Sequence, residues 1–439
     1  MFLLYRKVKK FLRYFIPANR PYMDRKFRDE NKAIRQYLAN QNKKLEPQNK
    51  QLELQNEQLH FQKQQLEFLG KQLSDQKNIL DQLLKANREH LKEMNEIKLY
   101  IGQELKRRDN WGKRWAEIAR EAKGRQVWVI KCPAPEDATK IRWGDYHFAV
   151  SLKKYLDRLN IFSIVDTKED WDCEEKADVV LVLRGYCFFR PDRRNPKCLY
   201  ILWNISHPDM VTDQEYQLYD AVCVSSRFYA GQLQKKLNVD VWPLLQCTDT
   251  ELFYPLEEDI EKKGRDYIFV GNSRGVARKS VMWAIENGLS LHVWGSGWNA
   301  ILKDHMDLLE APFIENREIP DLYRASRVIL NDHWQDMLDY QYINNRIFDA
   351  LACGIPVISD TCEELREIFP DAVLHYRNKE EFDACVRQVE NNYDEIRRRV
   401  LAQSKVIKEE YSFEVRAREL VEIAKSEFYK KSENSDSIL

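Results

Sequence analysis

The sequence has 439 residues, of which 44% are hydrophobic and 32% charged, and its 70 basic residues balance 70 acidic ones. A net charge of zero argues against a dedicated nucleic-acid-binding protein, so no nucleic acid is expected as a partner. The nine cysteines show no C-x-x-C spacing, which indicates neither a disulfide framework nor a zinc site and favours a reducing cytoplasm. No run of eighteen apolar residues occurs that would span a bilayer.

Residues 1–20 form a short basic segment with an amphipathic pattern. Leu4, Phe11 and Phe15 share one helical face, while lysines and arginines fall largely elsewhere. These interspersed charges interrupt the apolar core that a signal peptide needs. The pattern predicts a helix on an anionic membrane surface, which would place the protein peripherally on the inner face of the cytoplasmic membrane. A helix packed on the protein itself, or a disordered start, is the alternative.

Residues 47–110 are rich in Gln, Asn, Glu, Lys and Leu and carry a seven-residue repeat. The repeating leucines are Leu45, Leu52, Leu59, Leu66, Leu73 and Leu80. This period predicts a left-handed coiled coil and therefore a homo-oligomer. Pro47 is tolerated only in a first helical turn, so the helix is expected to begin there. A single solvated helix, or a disordered segment, is the alternative.

A first α/β domain is expected over residues 125–255, where short apolar runs alternate with helical patterns. Its strands are expected at 126–130, 178–183, 198–204 and 221–225. Gly144 and Asp145 stand at the corner where a loop enters the helix after the first strand, and such corners face the ligand crevice. Asp145 as a simple helix N-cap is the alternative. His207 follows the end of a strand at the crevice rim, or it caps a turn before Pro208.

A polar linker over 257–266 leads to a second α/β domain, expected over residues 265–410. A strand over 267–270 is followed by a glycine loop and then a helix that carry Arg274, Arg278 and Lys279. Cations and free N–H groups in this position suit a pyrophosphate. Basic side chains are disfavoured at the positive end of a helix dipole, so an anionic ligand explains them better than chance surface charge does.

The stretch 339–360, DYQYINNRIFDALACGIPVISD, predicts a polar loop, one helix, a stop and a buried strand. Asn344 and Asn345 are suited to the helix N-cap, where free backbone N–H groups bind anions. Gly354 fits the left-handed position after the helix end. Asp349 lies about one turn inside the helix, so a diphosphate at the helix end and a sugar hydroxyl pair on the carboxylate are expected. An ordinary α/β crossover is the alternative.

This stretch resembles the donor-sugar motif of GT-B glycosyltransferases, especially the spore-maturation-like (CgeB-like) group related to the large retaining "group 1" family. In that family two glutamates are spaced E-x7-E, and the second opens the phrase EAMACGxPV. Gln341 and Asp349 stand at these two positions here, so both depart from the pattern. The phrase QCTDTELFYP, residues 246–255, is similar to the interdomain phrase of these enzymes, and residues 411–430 resemble their C-terminal crossover helix.

The resemblance covers about residues 126–425 and implies an α/β fold class. Two Rossmann-like domains are expected to face each other across a cleft, preceded by the coiled-coil helix. The implied activity is that of a hexosyltransferase, which moves a hexose from a nucleoside-diphosphate sugar to a hydroxyl of a glycan or glycolipid acceptor. Retention at the anomeric carbon and a role in surface polysaccharide or glycoconjugate synthesis are implied as well.

No Asp-x-Asp pair occurs where a metal would bridge the diphosphate, so neither a metal nor a cofactor is expected besides the nucleotide-sugar substrate. His207, Arg274 and Arg278 are predicted to be catalytic. The predicted donor-binding residues are Gly144, Gly271, Asn272, Ser273, Lys279, Ile314, Tyr342, Ile343, Asn344, Asn345 and Asp349. The acceptor is expected to meet Asp145 and His147. An inactive GT-B scaffold that oligomerises through its coiled coil, or a nucleotide-sugar epimerase, is the alternative function.

Overall fold

A computed structural model describes residues 20–168, 171, 174, 176–193, 195–256 and 265–436. The predicted basic segment and most of the predicted linker lie outside these residues. The chain forms two compact units, Met1–Met94 and Asn95–Leu439. Within the described ranges, no helix combines the length and the apolar character needed to cross a lipid bilayer.

A long helix, α1 (Arg20–Ala122), precedes the first sheet. The predicted start at Pro47 is wrong, because the helix begins at Arg20 and contains this proline. An internal proline costs about 3 kcal/mol, but the surrounding glutamine, glutamate, lysine and leucine residues are good helix formers. Leu66 and Leu73 are exposed on this helix, and the coiled coil that would bury them stays a prediction. Near the C-terminal end of α1, Trp115 joins the core of the first sheet.

The first domain is built on a six-stranded sheet in which every pair of neighbours is parallel. The strand order is β2-β1-β3-β4-β5-β6. The strands are β1 (Val127–Cys132), β2 (Phe162–Thr167), β3 (Val179–Arg184), β4 (Leu199–Asn204), β5 (Ala221–Val224) and β6 (Asp240–Pro243). All residues of the central strands β3 and β4 are buried, because helices cover both faces of a parallel sheet.

The second domain is built on another six-stranded parallel sheet, with the order β12-β11-β10-β7-β8-β9. Its strands are β7 (Arg265–Val270), β8 (Leu291–Trp294), β9 (Leu309–Ala311), β10 (Ser326–Asn331), β11 (Val357–Asp360) and β12 (Val373–Tyr376). The sequence analysis missed β2, β6 and β9, which are edge strands. These three strands are only partly buried, so they lack the continuous apolar run of a central strand.

Eleven further α-helices connect and cover the strands within the described residues. They are α2 (Gly144–Arg158), α3 (Asp213–Tyr216), α4 (Arg227–Gln234), α5 (Lys279–Glu286), α6 (Asn299–Leu302), α7 (Ile319–Arg324), α8 (Gln335–Asp339), α9 (Asn345–Ala352), α10 (Glu363–Ile368), α11 (Lys379–Glu410) and α12 (Phe413–Asp436). Short 3₁₀ turns lie at Ala138–Arg142, Pro208–Met210 and Lys303–Leu308. The predicted fold class, α/β with two Rossmann-like domains, is confirmed.

Contacts between the two domains fix the walls of the cleft. The last helix, α12, packs its apolar face on the first domain, and the ring of Phe413 lies 4.6 Å from that of Phe148. Glu364, at the start of α10, accepts hydrogen bonds from the Arg227 N–H (2.8 Å) and the Ser226 hydroxyl (3.1 Å) at the start of α4. A second-domain carboxylate therefore caps a first-domain helix. This contact helps to fix the positions of the two domains on either side of the cleft.

Candidate active site

A cleft of about 680 Å³ lies between the two domains. Its first-domain wall includes Tyr186 after β3 and His207 after β4, and its second-domain wall includes Gly271 after β7 and Gly295 after β8. These residues follow the carboxyl ends of parallel strands, which is where ligands bind in open α/β sheets. The topology alone thus brings loops from both domains to one place.

Three arginines of the second domain approach one another at this cleft. Arg274 and Arg346 line it, and Arg278 lies behind them. Burial and the charge of Arg346 lower the pKa of Arg274 to about 10. Burial and repulsion from Arg274 and Arg346 lower the pKa of Arg278 to about 8, and burial also lowers the pKa of Arg346. Such crowding of like charges is unfavourable until an anion binds among them.

Arg274 and Arg346 have no carboxylate partner among the described residues. The guanidinium of Arg274 lies 4.2 Å from the centre of the Trp334 ring. The guanidinium of Arg346 donates to Asn331 Oδ1 at 2.7 Å. A Cβ at Gly271 would lie 2.6 Å from a guanidinium nitrogen of Arg346. The absence of a side chain at this predicted residue therefore leaves room for the guanidinium. Both cations remain available to a ligand in the cleft.

The N-terminus of α9 opens on the same cleft. Asn344 is its N-cap residue, but the Asn344 side chain caps no backbone N–H. The amide of Asn344 instead donates to Asn331 Oδ1 at 3.1 Å. Asn345 is the first helical residue, and both asparagines line the cleft. A helix start without a side-chain cap leaves backbone N–H groups for an anion.

Asp349 lies on the cleft wall one turn further along α9. Its Oδ1 accepts a hydrogen bond from the Thr248 hydroxyl at 2.6 Å, and its Oδ2 lies 3.4 Å from the amide nitrogen of Asn345. Burial raises the pKa of Asp349 to about 7, against the opposing effects of Thr248 and Arg346. The carboxylate retains lone pairs for the hydroxyl groups of a ligand.

The first-domain wall carries Gly144, Asp145 and His147 at the start of α2. The N-cap residue of α2 is Trp143, so the interpretation of Asp145 as the N-cap is wrong. Asp145 lies in the first turn with its carboxylate at the cleft. His147 Nε2 lies 2.7 Å from the carbonyl oxygen of Ile141, which holds this imidazole in place.

His207 contacts residues of both domains within the cleft. Its backbone is left-handed, with φ of 52°. Its ring lies 4.1 Å from that of Tyr186, and its Nδ1 lies 3.4 Å from Asp336 Oδ2 of the second domain. Asp209 lies beside this contact, and burial together with the Asp336 charge raises the pKa of Asp209. We interpret these groups as two carboxyls that share a proton beside an imidazole, and we assign no metal to them.

Comparisons with known proteins identify this architecture. Residues 278–422 match the family model described as "Glycosyl transferase-like". Sucrose-phosphate synthase from Thermosynechococcus elongatus is similar in structure, with a TM-score of 0.55 and 12% identity over 70% of this chain and 100% of that one. AviGT4, a glycosyltransferase involved in Avilamycin A biosynthesis, gives a TM-score of 0.51 and 16% identity over 70% and 98% of the two chains. The chain has the GT-B glycosyltransferase fold. No curated protein matches its sequence.

The GT-B cleft contains most of the predicted site residues. Those that line it are Gly144, Asp145, His147, His207, Gly271, Asn272, Arg274, Ile314, Asn344, Asn345 and Asp349. Five others do not line it, namely Ser273, Arg278, Lys279, Tyr342 and Ile343. For these five the predicted roles stay predictions, and the structure shows what each side chain contacts.

Arg278 and Lys279 turn away from the GT-B cleft. The guanidinium of Arg278 donates to the carbonyl of Asn272 at 3.1 Å and to the carboxylate of Asp332. It therefore supports the loop from beneath. Lys279 is the first residue of α5, and its side chain is exposed outside the cleft.

Ser273, Tyr342 and Ile343 are engaged within the protein. The Ser273 hydroxyl donates to the carbonyl of Gly297 at 2.6 Å. The Tyr342 hydroxyl donates to Asn204 Oδ1 at 2.5 Å, which ties the second domain to the first. Ile343 is buried in the core of the second domain. Their side chains thus serve the fold.

We expect Tyr342→Phe to lower the free energy of unfolding by about 1 kcal/mol, because one buried hydrogen bond is lost while the ring stays packed. Asn204 Oδ1 keeps a hydrogen bond from the Tyr216 hydroxyl at 3.0 Å. Denaturant unfolding measures the loss, and calorimetry with a nucleoside diphosphate should give an unchanged Kd. A Kd raised by tenfold or more would return Tyr342 to the donor site.

The sequence analysis missed Arg346, Trp334 and Tyr186. Arg346 is in the first turn of α9, at the positive end of the helix dipole, and the same conflict had identified Arg278. The sequence therefore carries the same signal for Arg346. Trp334 and Tyr186 carry no such signal, because only the assembled domains bring their rings to the cleft.

Gln341 occupies the first position of the altered E-x7-E pattern. Its backbone is left-handed, with φ of 62°, and its side-chain oxygen accepts a hydrogen bond from the Glu364 N–H at 2.9 Å. The side chain is therefore directed to the start of α10. It lies outside the cleft, so this position contributes no group to the site.

Proposed function

We propose that this chain is a glycosyltransferase that moves a hexose from a nucleoside-diphosphate sugar to an acceptor hydroxyl. One observation carries the proposal: Arg274, Arg346 and the uncapped start of α9 converge on one cleft without a carboxylate partner for either arginine among the described residues. The family match over residues 278–422 supports the same class of reaction. AviGT4 is named as a glycosyltransferase.

The diphosphate is the donor group that best matches these cations. Arginine presents a planar fork of N–H donors that fits phosphate oxygens. When the bond between the sugar and the diphosphate breaks, negative charge grows on the leaving oxygen. Arg274, Arg346 and the N–H groups of α9 are positioned to stabilise that charge. We propose that they do so without a metal ion.

The rest of the donor follows from the neighbouring groups. Asp349 is suited to accept hydrogen bonds from the two ribose hydroxyls. The base would lie near Ile314 and Phe313, where the guanidinium of Arg142 lies 5.4 Å from the centre of the Phe313 ring. The hexose and the acceptor would then occupy the first-domain side of the cleft, near Asp145 and His207.

A donor screen with the purified full-length chain tests the proposal. Nucleotide release is expected with one nucleoside-diphosphate hexose, only in the presence of a glycan or glycolipid acceptor, and equally with a chelator. Conversion of the donor without an acceptor would instead indicate an epimerase. No binding of any nucleoside diphosphate by calorimetry would leave the inactive scaffold as the better explanation.

The acceptor, the oligomeric state and the cellular location of the protein are proposed from the sequence. We propose a glycan or glycolipid acceptor in surface polysaccharide or glycoconjugate synthesis, and a cytoplasmic protein on the inner membrane face. We also propose oligomerisation through the leucines of α1, including the exposed Leu66, Leu73 and Leu80. Light scattering of the full-length chain should give a multiple of 52.5 kDa, and a monomer would contradict the coiled coil.

A further inference from the structure

We propose that His333 is a positioning residue for the donor site, and that its neutral imidazole fixes the start of α9 by accepting the backbone N–H of Asn344. The side chain of His333 is buried and does not line the cleft, so it acts through residues that do. The inference rests on the proposed function and deepens it, because it names the group that holds the diphosphate-binding end of α9 in place.

His333 connects three elements of the second domain. It follows β10, and its Nε2 accepts a hydrogen bond from the N–H of Asn344, the N-cap residue of α9, at 3.3 Å. Its Nδ1 lies 2.6 Å from Oδ1 of Asp360, the last residue of β11. Strands β10 and β11 are paired neighbours in the sheet. The imidazole therefore ties the start of the helix to the carboxyl ends of two adjacent strands.

The two partners of the imidazole select one tautomer. The carboxylate of Asp360 can only accept hydrogen bonds, and it also accepts the backbone N–H of His333 at 2.9 Å. The backbone N–H of Asn344 can only donate. The proton of the neutral ring therefore belongs on Nδ1, and Nε2 keeps the lone pair that faces Asn344. The opposite tautomer would place an N–H against the N–H of Asn344 and a lone pair against the carboxylate.

The start of α9 needs external support because Asn344 does not cap it. An N-cap asparagine ordinarily fixes a helix start with its own side-chain oxygen, as Asn378 does for α11 by accepting the Glu381 N–H at 2.9 Å. The side chain of Asn344 makes no such bond, and its amide donates instead to Asn331 Oδ1 at 3.1 Å. Support from His333 holds the helix start without a side-chain cap that would occupy the N–H groups an anion needs.

The two residues before this histidine hold arginines of the site. Asn331 Oδ1 accepts a hydrogen bond from Arg346 at 2.7 Å. Asp332 accepts from Arg278 through its carbonyl oxygen at 3.1 Å and through its carboxylate. This short segment therefore supports both the arginines and the start of α9. A shift of the helix relative to the segment would separate the cations from the amides, and a misplacement of about 1 Å can lower a rate by about 10²-fold.

Two substitutions separate the two hydrogen bonds of the ring. In His333→Gln the side-chain oxygen is placed to accept the Asn344 N–H, as Nε2 does. In His333→Asn the shorter amide is placed to donate to Asp360, as Nδ1 does. We expect His333→Asn to lower kcat/KM by about 10- to 100-fold and to raise the Kd of the bound nucleoside diphosphate, while His333→Gln stays within threefold of wild type in both. Calorimetry of the full-length chain with UDP, GDP, ADP, CDP and dTDP as probes measures the Kd.

His375 provides the matched control pair. It belongs to the same domain, on β12, and both of its ring nitrogens also have partners. Its Nδ1 lies 3.0 Å from the Thr361 hydroxyl oxygen, and its Nε2 lies 3.1 Å from the carbonyl oxygen of Phe369. His375 does not line the cleft, so His375→Gln and His375→Asn should both keep wild-type kcat/KM, even if they lower the thermal midpoint. Equal losses of kcat/KM in His333→Gln and His333→Asn would indicate a merely structural role and would overturn the inference.

The tautomer of His333 is measured in the wild-type chain and does not depend on whether His333→Asn folds. With ¹⁵N-labelled histidine, long-range proton–nitrogen NMR should place the ring proton on Nδ1 of His333, whose signal is identified by its absence in His333→Gln. A ring proton on Nε2, or a His333→Asn variant within threefold of wild type in both kcat/KM and Kd, would overturn the inference while the transferase remains. No binding of any of the five nucleoside diphosphates by the wild-type chain would overturn the proposed function and the positioning role together.

Discussion

Arg346→Met is expected to keep its fold and lose about 10²- to 10³-fold in kcat/KM, the usual effect of removing one group that stabilises the leaving charge. The substitution keeps an unbranched apolar side chain at this position and removes the guanidinium charge. The lowered pKa of Arg346, caused by burial, shows that the folded chain disfavours this cation. Removing it should therefore leave the thermal midpoint unchanged or raise it, even though the 2.7 Å hydrogen bond to Asn331 is lost.

Ligand-induced stabilisation connects this loss of activity to the diphosphate. A nucleoside diphosphate at 100 times its Kd should stabilise the wild-type chain by about 2.7 kcal/mol. The same concentration should shift the Arg346→Met midpoint much less. A variant that retains both the shift and more than a tenth of wild-type kcat/KM would remove Arg346 from the donor site.

Arg327→Met provides the matched control for Arg346→Met. Arg327 is a partly buried arginine of the same domain, and its guanidinium lies 4.6 Å from the centre of the Tyr393 ring. Arg346 has a similar contact, 5.3 Å from the Phe269 ring. Arg327 does not line the cleft, so its replacement should leave kcat/KM near wild type. A loss common to both variants would indicate a structural effect.

The helix of the donor motif shows what local sequence patterns can determine. Ile347, Phe348 and Leu351 are buried as their spacing predicts, and Gly354 has the left-handed φ of 68° that ends the helix. These features depend on residues within two turns of one another. The sequence therefore contains enough information for the helix, its end and the strand that follows.

Tyr342 shows what local patterns cannot determine. Its position in the motif suggests a ligand contact, but its hydroxyl reaches Asn204, 138 residues earlier in the chain. The contact of Thr248 with Asp349 also joins distant parts of the chain, 101 residues apart. Pairings of this kind arise when two domains meet, and no periodicity or spacing in the sequence records them. The sequence thus predicted many of the residues that line the cleft, but not their individual partners.

Asp349→Asn is expected to raise the donor Kd by about 10- to 100-fold above pH 7, because hydrogen bonds to a charged group contribute about 1.5–3 kcal/mol. The pKa of Asp349 is raised to about 7 by burial, so the carboxylate loses its charge as the pH falls below that value. Donor binding by wild type should therefore weaken from pH 8 to pH 6. The donor phosphates also titrate. Their contribution to the pH dependence is measured with Asp349→Asn, because this variant lacks only the carboxylate.

The expected effect of Asp349→Asn on stability is opposite to its effect on donor binding, because the substitution stabilises the folded chain at high pH. Since the folded pKa of Asp349 lies above its ordinary value of 3.8, the folded chain holds a proton that the unfolded chain has lost between about pH 4 and pH 7. The contribution of Asp349 to stability is thus greatest at low pH and is lost as the pH rises through 7. Asp349→Asn should be more stable than wild type at pH 8, and this difference should shrink as the pH falls towards about 4. An unchanged donor Kd at pH 8, with this gain in stability present, would show that the buried carboxylate serves something other than the ribose.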